Sequence, residues 1–377
     1  MNQKKMFFAL LMSLSLSLCT ACSQSSSPPS LEPSASLSPE QQKEASLEVD
    51  FLDVGQGLSV LVSSEGHYML YDGGDREYSS FVVAYLKEKG IEKLDYVVAS
   101  HYDSDHLNGV VGALNAFDVD RILGPDYVWD SKVYQSFITA SENLGIPVEH
   151  PEPGAVFSLG GASFQVLAPS SEKYGDSNNY SIVLRLTCGK DSFLFTGDAE
   201  YESEEEMCRT GLTLDSTVLC VGHHGSASSS TYQFLEKVLP EYAVISCGAY
   251  NSYGHPHEET MEKIMAMEIS FFRTDIQGTI TATSEGNGIT WNTEPCKDYS
   301  SGDDTEAVSS SPTFDSSEIK KQESGSYVLN TNTKKVHLPD CSSAEDIKES
   351  NKEIYTGDLE QLIENGFSPC QRCLPRK

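Results

Sequence analysis

Positive charge is scarce in this chain. Lys and Arg number 26 against 56 Asp and Glu among 377 residues, a formal net charge of -30. Such a surface repels nucleic acid and anionic lipid at long range, which excludes tight, non-specific DNA binding by the surface as a whole. It leaves room for an anionic substrate at a site where bound metal ions reverse the local field. Beyond the first 18 residues no apolar run is long enough to span a bilayer, so a transmembrane channel role is set aside. No internal repeat is present, which sets aside repeat architectures. What the chain does have is enough apolar material, 38% of residues, to build a sizeable core. Its length suits two domains with tails.

The N-terminus reads as a targeting segment, residues 1–21. Lys4 and Lys5 precede an apolar and Ser stretch from Met6 to Leu18, and small residues Thr20 and Ala21 stand before Cys22. The ending resembles a bacterial lipoprotein signal, with Cys19 where that family usually has Leu. The resemblance implies lipidation at Cys22 and a membrane tether on the outer face of the cell, with plain secretion as the alternative. Residues 22–46 are rich in Ser, Pro and Glu, the composition of a disordered tether.

From Leu47 the pattern changes. Leu47-Glu-Val-Asp-Phe-Leu-Asp-Val alternates as a strand, Gly55-Gln-Gly57 turns, and Ser79 to Lys89 has helical spacing. Leu94-Asp-Tyr-Val-Val-Ala-Ser is a buried strand that runs into His101. Strands come early in pairs and later alternate with helices, which predicts a layered α/β domain over 47–292 with two sheets inside and helices outside. Residues 293–325 are acidic and Ser-rich, as expected of a linker, and a small module occupies 326–377.

His101-x-Asp103-x-Asp105-His106 offers four ligand candidates within six residues at a strand end. Imidazole and carboxylate are ligand types for zinc, manganese or iron. Asn108-Gly109 behind them lets a helix start close to the cluster. A polar strand-end loop needs no such concentration, so the segment reads as part of a metal site. His255 and His257 flank Pro256, a rigid segment suited to bringing imidazole to a substrate. Arg273 either meets a substrate phosphate or pairs with Asp275; the pairing is favoured. In the tail, His337-x-x-x-Cys341 and Cys370-x-x-Cys373 supply four ligands for a structural zinc ion, against the alternative of a disulfide. Such a small module needs a staple. Cys188, Cys220 and Cys247 lie in apolar strands and read as core.

The cluster resembles the His-x-His-x-Asp-His signature of the metallo-β-lactamase fold, with Asp103 at the second His. That form is similar to the extracellular domain of the DNA-uptake protein ComEC and its soluble relatives. Phe51-Leu-Asp-Val-Gly-Gln-Gly57, Tyr71-Asp72-Gly-Gly, Asn178-Asn179-x-Ser181, Phe195-Thr-Gly-Asp198, Gly222-His-His-Gly-Ser226 and Tyr253-Gly-His-Pro-His257 extend the likeness in order over 47–292. The resemblance implies a four-layered αββα fold holding two divalent ions, zinc or manganese. His101, Asp103, Asp105, His106 and Asp198 match ligand positions, with Asp198 bridging. One of His223 and His224 completes the second ion and the other faces substrate; the assignment adopted is His223 as ligand and His224 toward substrate. Asp72 is expected to orient a ligand, and Asn178 or Asn179 stands where the wider fold has another His. Asp105, His224, His255 and His257 are the candidate catalytic residues. Attack by metal-activated hydroxide on a phosphodiester, with DNA among the candidates, is the expected chemistry. The alternatives are a lactone, β-lactam or phosphocholine-ester hydrolase of the same fold, or a non-catalytic protein that binds DNA or cell-wall polymer. The tail is similar to the N-terminal zinc module of the Ada DNA-repair protein, with His337 at the position of its methyl-accepting Cys. The likeness implies structural zinc without methyl transfer, and leaves DNA contact by Lys334, Lys335 and Arg372 beside a plain solvated patch.

Overall fold

The computed structural model describes residues 46–302 and, in the C-terminal segment, 325–331, 334–339, 341, 344, 347, 351–357, 359–364, 367–370 and 373–374. The signal segment, Cys22, the tether up to residue 45, the linker at 303–324 and Arg372 lie outside the described residues. The chain divides into two units at Gly302, each taken by itself below.

The first unit contains strands β1 (Leu47–Phe51), β2 (Val60–Ser64), β3 (His67–Tyr71), β4 (Lys93–Val98), β5 (Asp118–Leu123), β6 (Val148–Glu149), β7 (Val156–Leu159), β8 (Ala162–Ala168), β9 (Val183–Cys188), β10 (Asp191–Phe195), β11 (Val218–Cys220), β12 (Tyr242–Ile245), β13 (Ser270–Arg273), β14 (Ile280–Ser284) and β15 (Ile289–Trp291). Eight form one sheet in the order β15-β14-β1-β2-β3-β4-β5-β6; the other seven form a second in the order β13-β12-β11-β10-β9-β8-β7. Both mix antiparallel hairpins with parallel strands. Helices α1 (Ser79–Glu88), α2 (Ser104–Ala116) and α3 (Lys132–Leu144) cover the first sheet, and α4 (Tyr201–Thr210), α5 (Tyr232–Val238) and α6 (Glu258–Ala266) the second. The result is the αββα layering.

The period-2 rule explains which residues meet. Leu47, Val49 and Phe51 of β1 point between the sheets, where they join Phe193 and Phe195 of β10 and Leu184 and Leu186 of β9. Leu194, between the two Phe residues, turns outward to Met207 and Phe234 under α4 and α5. Strands covered on both faces therefore read as continuous apolar runs rather than alternating ones.

The loops at the ends of these strands carry the site. Helix α2 begins at Ser104 with Asp103 as its N-cap, so Asp105 and His106 occupy the first helical turn rather than a loop. The Asp103 side chain makes no capping bond. Behind the turn, Gly109 packs directly on Gly73: a Cβ on Gly109 would lie 1.9 Å from the Gly73 carbonyl oxygen. Gly73 N–H donates to the His106 carbonyl at 2.7 Å. This contact draws the Asp72 loop onto α2.

Residues 293–302 were expected to open the linker, but they pack on the first unit. Cys296 N–H donates to Phe271 O, the Tyr299 ring packs tilted at 4.7 Å from that of Phe271, and Gly302 N–H donates to Pro256 O. Their polar composition hides these backbone-mediated attachments. In the second unit, Gly325–Asn330 pairs with Lys335–His337 and Lys352–Gly357, around Tyr327, Leu329, Val336 and Leu362.

Gly109→Ala should destabilise the protein by about 1–3 kcal/mol through overpacking. Gly175→Ala, whose added Cβ meets nothing closer than 3.9 Å, should be close to neutral. Thermal denaturation of the two variants checks the difference.

Candidate metal centre

Asp72 sits at the end of β3 with φ +59°, wholly buried. Its carboxylate accepts from Ser100 N–H at 2.7 Å, from Ser100 Oγ at 2.7 Å and from His106 Nδ1 at 2.8 Å. The Ser100 hydroxyl spends its proton on Asp72, so at 3.0 Å it accepts from His101 Nδ1. Both rings are thereby fixed with lone pairs on Nε2. The His101 Nε2 atom is buried without a hydrogen-bond partner. On the far side, His224 Nδ1 donates to Ser246 O at 2.9 Å, which leaves its Nε2 lone pair 3.2 Å from that of His106.

Asp198 lies among these rings. Its oxygens are 3.1 Å from His106 Nε2, 3.4 Å from His224 Nε2, 3.7 Å from His223 Nε2 and 4.0 Å from His101 Nε2. Asp105 reaches His224 Nε2 at 3.4 Å, and Asp103 reaches His101 Nε2 at 3.8 Å. Two ligand sets result, His101 with His106 and Asp198, and Asp105 with His106 and His224. Facing lone pairs and an orphaned imidazole nitrogen in a buried site repel one another unless a cation lies among them. The donor set therefore fits divalent metal ions.

The electrostatics of the metal-free cluster agree. Burial drives the His101 ring down to about 3, and nearby His106 adds to this. For His224 burial acts downward too, but Asp198 and Asp105 outweigh it and lift the ring to about 9. His106 is raised well above its ordinary value against the same burial, by Asp198 and Asp72. Burial opposes ionisation of Asp105 and Asp198, yet the imidazoles hold both below the usual carboxylate range. Asp103, less well paired, is pushed by burial up to about 6. The field that attracts protons to His106 and His224 equally attracts cations.

The grouping of His223 and His224 differs from the assignment adopted from sequence. Both have left-handed backbones, φ +50° and +56°, which turn the neighbouring side chains apart. His224 joins Asp105 and His106, while His223 Nδ1 faces Glu200 Oε1 at 3.2 Å with Nε2 toward Asp198. Glu200, unmarked by any sequence motif, accepts from Ser228 Oγ at 2.7 Å as well. Asn178 approaches His223 Nδ1 at 3.5 Å. Asn179 instead accepts from Glu200 N–H and Ser203 N–H, satisfying the first turn of α4; its role is to hold that helix.

His255 lies beside the cluster, its ring 5.4 Å from His223 and 6.1 Å from His224, and burial brings it down to about 3. The His257 ring lies 4.7 Å from that of His255 but is engaged elsewhere. Its Nδ1 accepts from Ala227 N–H and its Nε2 donates to Tyr253 O, both at 2.9 Å, so neither nitrogen is left for proton transfer. Arg273 is equally occupied, paired through two nitrogens with Asp275 and donating to Ser300 O. Sequence reasoning passed over Glu204, which is buried and accepts from Ser230 N–H, Thr231 N–H and Thr231 Oγ1. It ties α4 to the loop that follows His224.

The second unit brings His337, Cys341, Cys370 and Cys373 together as a further four-ligand set. His337 Nδ1 is buried without a partner, and Leu338 N–H donates to Cys373 Sγ at 3.3 Å. Burial and the neighbouring Cys341 and Cys370 push the Cys373 thiol up to about 11. No disulfide links the described cysteines. Cys188, Cys220 and Cys247 are buried in the first unit. Lys334 lies over the Phe367 ring at 4.8 Å.

Comparison with known proteins agrees with this geometry. The model of the metallo-beta-lactamase superfamily matches residues 52–249, more than half of the chain. The chain belongs to the metallo-β-lactamase superfamily. Within this superfamily it falls in the ComEC-like branch. ComE operon protein 3 of Bacillus subtilis is 32% identical over 251 residues, covering 62% of this chain and 32% of that protein. Competence protein ComA of Neisseria gonorrhoeae is 35% identical over 246 residues, covering 64% and 33%. The chain thus spans about a third of the length of the curated relatives it matches. Among solved structures, the metallo-β-lactamase fold protein YhfI from Bacillus subtilis aligns at 14% identity with a TM-score of 0.44, covering 64% of this chain and 100% of that one.

Asp72→Asn should weaken divalent-metal affinity about 10–100-fold, measured by competition with a chelator. A second expectation concerns Glu204, whose carboxyl burial raises to about 7 against the Thr231 and Ser230 donors. The folded state then keeps this proton to higher pH than the unfolded chain. Its stabilising effect is complete below the unfolded value and is lost as pH rises toward 7. Melting temperature should therefore fall more steeply between pH 5 and 7 in the wild type than in Glu204→Gln.

Proposed function

We propose that the first unit is a two-metal phosphodiesterase, with DNA among its substrates. The observation that supports this most is the pair of ligand sets sharing His106, with the Asp198 carboxylate among four imidazoles. In this reading His101, Asp103 and Asp198 hold one ion, and Asp105, His106, His224 and Asp198 hold the other. Divalent ions there supply Lewis acidity and an acidified water near neutral pH. The chain's own residues set the conditions. Asp72 and Ser246 lock three rings with Nε2 inward, and Glu200 with Ser228 steadies His223 at the edge of the cluster. Asp103, Asp105 and Asp198 concentrate negative charge that repels a phosphodiester until cations neutralise it. Asp103 also makes the site richer in oxygen than an all-imidazole site, which tilts preference from zinc toward manganese.

The His337, Cys341, Cys370 and Cys373 set is proposed to bind one structural zinc ion. Export with lipidation at Cys22 completes the proposal and rests on the N-terminal sequence. Among the described residues, no helix is long and apolar enough to cross a membrane.

The direct assay is hydrolysis of bis(p-nitrophenyl) phosphate and of single- and double-stranded DNA with manganese or zinc. Asp105→Ala should lower the rate by at least about 10²-fold. Undiminished hydrolysis in that variant would contradict the mechanism. Turnover of lactones or β-lactams with no diester cleavage would move the protein to a different reaction of the same fold.

A further inference from the structure

Gln56 lies in the turn between β1 and β2, far in sequence from the metal ligands. Its Oε1 faces the backbone N–H of Gly248 at 3.2 Å. That backbone group can only donate, so the Gln56 atom it meets must be the oxygen. The approach is close: a Cβ on Gly248 would lie 2.5 Å from Gln56 N. The amide orientation is thus settled by the main chain. The Gln56 Nε2 group then faces His255 Nδ1 at 3.2 Å and can only donate to it. In the neutral ring, an accepting Nδ1 requires the proton on Nε2.

The His255 ring is held from other sides too. Asn251 accepts from His255 N–H and donates to its carbonyl. The Tyr253 ring stacks on it at 5.6 Å and 21°. Its neighbours toward the cluster are His223 and His224. Among the described residues nothing hydrogen-bonds its Nε2.

We propose that Gln56 is a positioning residue that fixes His255 as the Nε2–H tautomer, and that this N–H donates a hydrogen bond to an anionic oxygen of the bound diester. The donor half of the inference rests on the phosphodiesterase reading; the tautomer half does not. The role suits an acidic protein. Arg273 is tied to Asp275 and Lys263 donates to Ser229 O, so a neutral imidazole N–H can supply what neither of those cations does. A fixed donor in a site already shaped for it needs no reorganisation as charge develops on the substrate oxygen.

The test is long-range 15N–1H correlation on full-length, zinc-loaded protein with labelled histidine, His255 being assigned by its loss in His255→Gln. The wild type should show the Nε2–H signature. Gln56→Glu still accepts from Gly248 N–H but presents only acceptors to His255, so the ring should switch to Nδ1–H. Its kcat on bis(p-nitrophenyl) phosphate should fall by about 10²-fold with KM changed far less. Gln56→Met, which keeps the volume without either hydrogen bond, should give a mixture of tautomers and an intermediate kcat, and it serves if the Glu variant fails to fold. An Nδ1–H ring in the wild type, or an unchanged tautomer and kcat in both variants, would overturn the proposal. A wild type with the Nε2–H ring and no diesterase activity would support the positioning role of Gln56 and overturn the donor role together with the phosphodiesterase reading. Diesterase activity with an Nδ1–H ring would overturn this proposal alone.

Discussion

The centre depends on one buried carboxylate that touches no ligand-binding space itself. Asp72 collects the Ser100 backbone and hydroxyl protons and the His106 Nδ1 proton. Through Ser100 it also governs His101. Two imidazoles from different turns of the chain are thereby set in the same tautomer with lone pairs inward. The Gly73–Gly109 contact makes the geometry possible, because it lets the Asp72 loop lie directly on α2. Folding thus crowds imidazole nitrogens and carboxylate oxygens together and leaves His101 Nε2 with no hydrogen-bond partner, and the stability of the layered sheets holds the cluster in place.

That arrangement is one way so acidic a chain could accept the anionic substrate proposed for it. The proton affinity raised in His106 and His224 reports the negative charge of Asp198, Asp72 and Asp105 beside them, and the lowered affinity of Asp105 and Asp198 is the same pairing felt at the carboxylates. Cations satisfy the cluster better than protons, since several lone pairs converge where one proton could serve only two. The consecutive left-handed residues His223 and His224 are a local strain of the kind found where geometry matters more than backbone comfort. Glu204 and Asn179 hold the surrounding turns through bonds to Ser230, Thr231 and the start of α4.

Much of this was legible in the sequence. The apolar runs pointed to the layers, and four ligand candidates, two imidazoles and two carboxylates, crowded behind a buried strand pointed to the candidate metal centre. What stayed hidden has physical causes. Adjacent histidines cannot be told apart by spacing once both adopt positive φ, so spacing does not reveal that His224 is the one grouped with Asp105 and His106. His257 looks like a partner of His255, but backbone groups from Ala227 and Tyr253 take both its nitrogens. Asn179 serves backbone N–H groups of α4, an obligation that only the folded helix creates. Residues 293–302 attach mainly through main-chain bonds that composition does not reveal. Glu200 and Gln56 carry no ligand-like spacing, and only three-dimensional proximity marks them.

The most direct test of the account is anomalous diffraction from crystals of the full chain grown with zinc or manganese. One peak is expected enclosed by Asp105, His106, His224 and Asp198, and a second beside His101, Asp103 and Asp198. Ordered side chains with no peak at either position would contradict it.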